Sequence, residues 1–227
     1  MLNNLELENS YEKKWKDFVN SNGLNDEKLK ASRRLFNQVD PYGPSPYIPV
    51  SVNLYALLAG IPFKDNEIKF LENIQSKIFS NLNSRFVYKV KNKNFGLECF
   101  VLKWHYENNF ELKNLNIIKN YLKKLKLMKF NISFKGVQIH TDGCVIAKFI
   151  DENKEFRLLR KQFINKFNFL PEKQSNWVHV PLGRILHPLK EIQFHELIST
   201  CNELSNKLDF EIKIDKYSLV KEERWYM

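Results

Sequence analysis

The chain has 227 residues, 43% of them hydrophobic, and a formal net charge of +10 at neutral pH. A chain of this length buries about 70% of its unfolded surface, so it can form a core without disulfides. No run of about 18 apolar residues and no signal-type N-terminus is present, which excludes transmembrane and secretory classes. We therefore expect a soluble, cytoplasmic protein without a membrane partner, and its positive charge favours RNA or a nucleotide phosphate as partner.

The cysteines and histidines give no metal or cofactor motif. Cys99, Cys144 and Cys201 are odd in number and widely spaced, without a C-x-x-C pair, so we expect reduced thiols and no disulfide partner. The five histidines are scattered, and no Walker loop, dinucleotide fingerprint or G-x-S-x-G elbow occurs. The sequence predicts neither a metal nor a cofactor, and it leaves the oligomeric state open.

The N-terminal region predicts a helical arm followed by a linker. Apolar residues at helical spacing indicate amphipathic helices over 8–20 and 26–38. Four prolines and a glycine between 41 and 49 then forbid a continuous helix. We expect an arm and Pro-rich linker at 1–46 and a main domain at 47–227.

The first half of the main domain predicts strand, helix, strand, strand. The β-branched and aromatic runs indicate strands at 50–58, 86–90 and 97–104, and the apolar spacing indicates a helix at 64–82.

The second half continues with a similar order of elements. Helices are predicted at 112–127, 154–167 and 190–207, and strands at 132–139, 144–150, 177–186 and 210–220. Asp142-Gly143 predicts a hairpin turn between two of these strands. On the helix at 154–167, Arg157 and Arg160 are expected to point outward. The fold class is therefore α+β, with strand–helix–strand repeated in two lobes, about 47–110 plus C-terminal elements and 111–190.

His179 is the main candidate for a functional residue. It lies in the apolar run Trp177–Leu186, where a polar side chain needs a hydrogen-bonding or functional reason. A hydrogen-bonded core histidine and a site residue are both open interpretations from the residues alone. Pro181 predicts that this strand is an edge or that its ladder is irregular.

The run His179-Val180-Pro181-Leu182-Gly183-Arg184 resembles the second motif of the 2H phosphoesterase superfamily, which includes RNA 2′,5′-ligase-like proteins and 2′,3′-cyclic nucleotide phosphodiesterases. The order of elements around it also resembles that family. The resemblance implies two H-x-[ST]-x motifs on two central strands that face each other across a groove.

The sequence departs from this pattern at both motifs. Pro181 replaces the hydroxyl residue of the second motif, and the first motif falls on Glu98–Leu102, which contains no histidine. Residues 99, 101, 103 and 105 would share one face of a regular strand, so a shifted register makes Lys103 and His105 the inward pair.

The resemblance implies a set of site residues. His179 and His105 would act in acid–base catalysis, Arg184 and Lys103 would bind phosphate, and Trp104 and Trp177 would stack on bases. Three functions stay open. The first is a divergent RNA-end or nucleotide-binding protein with weak or absent cyclic phosphodiesterase activity. The second is an active phosphodiesterase, a hydrolase using His179 with His105. The third is a non-catalytic structural or interaction protein.

Overall fold

The structure is a computed structural model that describes residues 3–21, 23–24, 26–39, 47–107, 111–124 and 129–224. Its helices are α1 (Asn4–Val19), α2 (Asp26–Arg33), α3 (Asp65–Phe79), α4 (Leu112–Lys124), α5 (Glu155–Lys166) and α6 (Glu191–Lys207). Its strands are β1 (Phe36–Gln38), β2 (Tyr47–Pro49), β3 (Ser51–Ala59), β4 (Val87–Lys89), β5 (Leu97–Lys103), β6 (Phe130–Ile139), β7 (Cys144–Ile150), β8 (His179–Ile185), β9 (Glu211–Ile214) and β10 (Tyr217–Arg224). Residues 40–46 of the predicted linker lie outside the described residues.

The described strands form two larger antiparallel sheets and one hairpin. The five-stranded sheet has the order β4-β8-β7-β6-β9, the three-stranded sheet has the order β10-β3-β5, and β1 pairs with β2. The larger sheets meet where β5 contacts β8. The α+β class is confirmed, but sheets of five and three strands do not by themselves establish the predicted duplication.

Two predicted elements are divided in the structure. The strand expected at 210–220 consists of β9, which pairs with β6, and β10, which pairs with β3 in the other sheet. The helix expected at 26–38 ends at Arg33, and β1 follows. Hydrophobic periodicity alone could not show where these predicted elements are divided, because the strands with which they pair lie far away in the sequence.

The predicted arm packs into the core through α1. Leu7, Tyr11 and Phe18 are buried, and a capping box between Asn3 and Glu6 begins the helix. The Tyr11 hydroxyl donates to the Val178 carbonyl oxygen at 2.7 Å and accepts from the Val178 N–H at 3.1 Å. This helix therefore fixes the strand end that leads into β8.

Arg160 on α5 is buried, so the prediction that it points outward is wrong. Its guanidinium donates to the carbonyl oxygens of Cys99 and Trp177, at 2.8 Å each, and to that of Glu98. These carbonyl oxygens belong to β5 and to the segment before β8, at positions where the hydrogen-bond donor must come from outside the strand ladders. Arg157, also predicted outward, is buried and donates to the Asp151 carbonyl oxygen at 3.1 Å.

The edge of β5 gains a second connection to the segment before β8. The Gln174 side chain accepts from the Val101 N–H and donates to the Val101 carbonyl oxygen, at 2.9 Å each. It therefore supplies the pair of bonds that a neighbouring strand would give. Together with Arg160, it holds the two sheets side by side and so fixes the walls of the groove between them.

Candidate functional site

A cavity of about 310 Å³ lies where the two sheets meet. The inner face of the three-stranded sheet is a separate hydrophobic cluster of Leu54, Ala56, Leu58 and Val101. Pro181 of β8 contributes to the opposite wall. The lining residues are Leu58, Ile61, Lys93, Asn94, Gly96, Glu98, Pro181, Val220, Lys221, Glu222 and Glu223.

Irregular pairing of β5 decides which of its side chains face this cavity. Glu98 pairs with Leu58 and Val101 pairs with Ala56, so the register shifts between them. Because paired residues share a face, Glu98 and Val101 point to the cavity side. Lys103 pairs with Tyr55, which is on the other face of β3. The expectation that residues 99, 101, 103 and 105 share one face is therefore wrong, because it assumed a strand without bulges.

Two buried carboxylates, Glu98 and Glu222, line the cavity. They are 7% and 8% exposed, and in the described part of the chain Glu98 Oε1 and Glu222 Oε2 have no hydrogen-bond partner. Burial, and then the charge of Glu98, raises the pKa of Glu222 to about 7. Burial also raises the pKa of Glu98, although Arg160 opposes that change. The cavity thus contains two carboxyl oxygens that have no hydrogen-bond partner among the described residues.

A second cavity, of about 620 Å³, adjoins the first through Lys93 and Asn94, which line both. Four cations surround it, and its described lining contains no Asp or Glu. The lining residues are Tyr47, Ile48, Pro49, Ser84, Val87, Tyr88, Lys89, Lys91, Lys93, Asn94 and Arg224. We call it the basic cavity, and we call the first the carboxylate cavity.

His179 lies beside Trp177 and is not among the residues that line either cavity. Its Nδ1 is buried and has no partner among the described residues. Burial, and then the nearby His140 and Arg160, lowers the pKa of His179 to about 3. The ring is therefore neutral at physiological pH, where it can accept or donate a hydrogen bond but carries no charge.

Trp177 is packed between α1 and the β6–β7 turn. Its ring lies 5.1 Å from that of Tyr11 and 4.9 Å from that of His140, and its indole N–H donates to Ser10 Oγ at 3.1 Å. The predicted stacking role of Trp177 would thus require a base to compete with α1.

His105 and Trp104 follow β5 at its end. His105 is exposed in a turn, and burial, followed by the charge of Lys103, lowers its pKa. Trp104 is half-buried, donates its indole N–H to the Lys173 carbonyl oxygen at 3.0 Å, and has its ring parallel to that of Tyr106. Neither residue lines one of the two cavities.

The two predicted phosphate ligands have partners within the protein. Arg184 donates to Ser32 Oγ at 2.8 Å and to Asp142 Oδ2 at 3.2 Å. Lys103 Nζ donates to the carbonyl oxygens of Asn53, at 2.8 Å, and Trp104, at 3.3 Å. The structure does not bring Arg184 and Lys103 into one cavity lining, and their phosphate-binding roles stay predictions.

The sequence contained signals for the residues that do line the cavities. Glu98 is the single acidic residue of β5, in which the other residues before Lys103 are apolar, and its burial is costly unless the carboxylate finds partners. Lys89, Lys91 and Lys93 alternate along the chain at a turn. The position of Glu222 could not be found in this way, because only the pairing of β10 with β3 brings it to the cavity.

Acid should destabilise the wild-type protein through the neutral histidines. An unfolded histidine binds a proton below about pH 6.5, whereas folded His179 resists protonation down to about pH 3. Stability is therefore lost as pH falls below 6.5, by about 2 kcal/mol at pH 5 from His179. Replacing His179 by Asn should remove that part of the slope. Urea unfolding at pH 7 and 5 measures it, and an unchanged slope would contradict the burial of a neutral ring.

The fold and site define an α+β protein whose two sheets meet at a groove. No family model matches the chain, and no curated protein matches it. TT0787 of Thermus thermophilus is 15% identical, with 73% of this chain and 86% of that chain covered and a TM-score of 0.49. Usb1 of Kluyveromyces marxianus is 12% identical, with 77% and 100% covered and a TM-score of 0.47.

Two further findings concern the described residues only. None of their helices is long and apolar enough to cross a membrane. They also contain no group of three or more His, Cys, Asp or Glu side chains that could hold a metal ion.

Proposed function

We propose that this protein is a divergent, two-lobed 2H phosphoesterase-like protein that binds the phosphates of RNA ends or nucleotides, with weak or absent cyclic phosphodiesterase activity. The observation that carries the proposal is the basic cavity beside the groove between the sheets. Lys89, Lys91, Lys93 and Arg224 line it, and no acidic residue is part of its described lining.

The charges of the basic cavity suit a phosphate group. Lys91 and Lys93 are exposed on the turn that connects β4 to β5, so their ammonium groups can reach a ligand without breaking a described ion pair. Lysine binds phosphate as a point charge, and binding releases counterions from the nucleic acid. Tyr47 and Tyr88 add aromatic surface to the same wall. A nucleotide or an RNA end is thus a better match than an uncharged ligand.

The chemistry of ring opening explains why we expect little turnover. A cyclic phosphodiester needs one group to deprotonate water and another to protonate the leaving oxygen, each worth about 10²–10⁴ in rate. Pro181 has no hydroxyl, and Glu98 occupies the part of β5 that faces the groove. His179 packs beside Trp177, and His105 lies in an exposed turn. Catalysis by His179 with His105 stays a prediction.

Binding of a short RNA with a terminal phosphate tests the proposal. Fluorescence anisotropy across a salt series should show affinity that falls with salt by a logarithmic slope of about 0.7 per phosphate contacted. The double change Lys91→Gln and Lys93→Gln should weaken binding about tenfold or more and reduce that slope by about 1.4.

The matched control is the double change Lys161→Gln and Lys166→Gln on the exposed side of α5, which removes the same charge away from both cavities. Equal loss of affinity in both double variants would reduce the effect to net charge and contradict the proposed site. Incubation with 2′,3′-cyclic nucleotides should give weak turnover or none. Efficient turnover would contradict the proposal, and its loss in His179→Ala would favour the catalytic alternative.

A further inference from the structure

We propose that the carboxylate cavity binds the Watson–Crick edge of guanine, with Glu98 and Glu222 as acceptors. The inference rests on the proposed function, because the phosphate of the same nucleotide would lie in the adjoining basic cavity. It assigns a class of ligand to a cavity whose two acidic residues were not among the predicted site residues.

The buried carboxylates are the first observation. Each is more than nine-tenths buried, each lines the cavity, and each has one oxygen without a partner among the described residues. Buried polar atoms in proteins are nearly always hydrogen-bonded. Above about pH 7, where Glu222 has released its proton, its carboxylate only accepts hydrogen bonds. A ligand that brings N–H donors into the cavity would satisfy both oxygens.

The walls are the second observation. Leu58, Ile61, Pro181 and Val220 make much of the lining apolar, and an apolar cavity with a few placed polar groups is typical of small-molecule sites. Above about pH 7 a phosphate would meet the negative charge of Glu222 there and be repelled. A planar base has apolar faces for such walls and polar groups at its edge.

Guanine presents the donor pattern that two acceptors require. Its N1–H and N2 amino group are adjacent donors on one edge, whereas adenine and cytosine offer only an amino group on the equivalent edge. Bases in unpaired RNA are commonly read by hydrogen bonds to this edge. Because carboxylates accept charge-assisted hydrogen bonds, they should select the base that donates twice.

The connection between the cavities is the third observation. Lys93 and Asn94 line both of them, so one ligand can place its phosphate beside Lys91 and its base beside Glu98. Lys221 and Glu223 also line the carboxylate cavity, where they form an ion pair with each other at 3.6 Å. The order of the two cavities thus matches the order of the phosphate and the base within one nucleotide.

Calorimetric titration with guanosine and inosine at pH 8, above the pKa of Glu222, tests the inference, because inosine lacks only the N2 amino group. Guanosine should bind about tenfold or more tightly than inosine, as expected for one hydrogen bond to a charged group. Glu98→Gln and Glu222→Gln should each reduce this preference at least severalfold. Glu196→Gln, which changes an exposed glutamate of α6 that lines neither cavity, should keep it.

The outcomes separate this inference from the proposed function. Equal binding of guanosine and inosine by the wild type would overturn the inference whether or not the variants fold. Tighter binding of methylammonium, a simple cation, than of guanosine would also overturn it. If GMP and IMP then still bind with the salt dependence expected from Lys91 and Lys93, the proposed function stands alone. A guanosine preference with no contribution from a phosphate would keep the inference and overturn the phosphate site. Failure of every nucleoside and nucleotide to bind would overturn both.

Discussion

Replacing Arg160 by methionine is expected to lower the free energy of unfolding by about 3 to 5 kcal/mol. Arg160 is 2% exposed and donates to the carbonyl oxygens of Glu98, Cys99 and Trp177. Methionine fills a similar volume but donates nothing, so three buried carbonyls would lose their partners. Urea unfolding followed by tryptophan fluorescence measures the loss.

A second substitution separates the charge of Arg160 from its shape. The change Arg160→Lys keeps the positive charge, but a single ammonium cannot reach three carbonyls as a planar guanidinium does. We expect an intermediate loss for this variant. Lys161→Met, on the exposed side of the same helix, should change stability by no more than about 0.5 kcal/mol. A loss below about 1 kcal/mol in Arg160→Met would mean that water replaces the guanidinium and that the sheets do not depend on it.

Replacing Glu222 by glutamine is expected to remove a pH dependence of about 3 kcal/mol from the wild-type stability. The pKa of Glu222 is raised from 4.5 to about 7, first by burial and then by Glu98. Between these values the folded state holds a proton that the unfolded chain has released. The contribution of Glu222 to wild-type stability therefore falls as pH rises from about 4.5 to 7 and then stays level, and it opposes the gain from His179 over part of that range.

Glutamine is never charged, so Glu222→Gln should become more stable than the wild type as pH is raised from 5 to 8. Urea unfolding at several pH values measures the difference. The control is Glu223→Gln, because Glu223 is exposed and its ion pair with Lys221 is at the surface. Parallel pH curves for the wild type and Glu222→Gln would show that the Glu222 carboxylate is solvated, and they would also remove support for the carboxylate cavity as a site.

Several elements of the fold were predictable because their signals are local. The turn at Asp142-Gly143 does join β6 to β7, and Gly143 has a φ of +83°, the left-handed conformation that such turns require. The apolar stripe of α3 and the β-branched runs of β3 and β7 gave elements within a few residues of those observed. Periodicity reports which face of an element is buried, and nearby residues suffice to reveal it.

The irregularity predicted from Pro181 shows where local reasoning became incomplete. β8 lies between β4 and β7, but β4 pairs only with Gly183–Ile185. Pro181 therefore lies beyond the end of β4, and the β7–β8 register shifts next to it. Proline lacks the N–H that a ladder would use, so both features fit its chemistry. The sequence predicted an edge or a bulge, and only the pairing partners determined the arrangement.

By itself, the sequence determined the α+β class, the position of most helices and strands and the basic composition of the chain. Only the tertiary structure decided that Arg160 is buried, that Glu98 and Glu222 share a cavity, and that Lys89, Lys91 and Lys93 surround the next one. The physical reason is that burial and pKa depend on partners from distant strands. The bulges of β5 and the crossing of β10 between sheets choose those partners, and neither has a local signature strong enough to fix it.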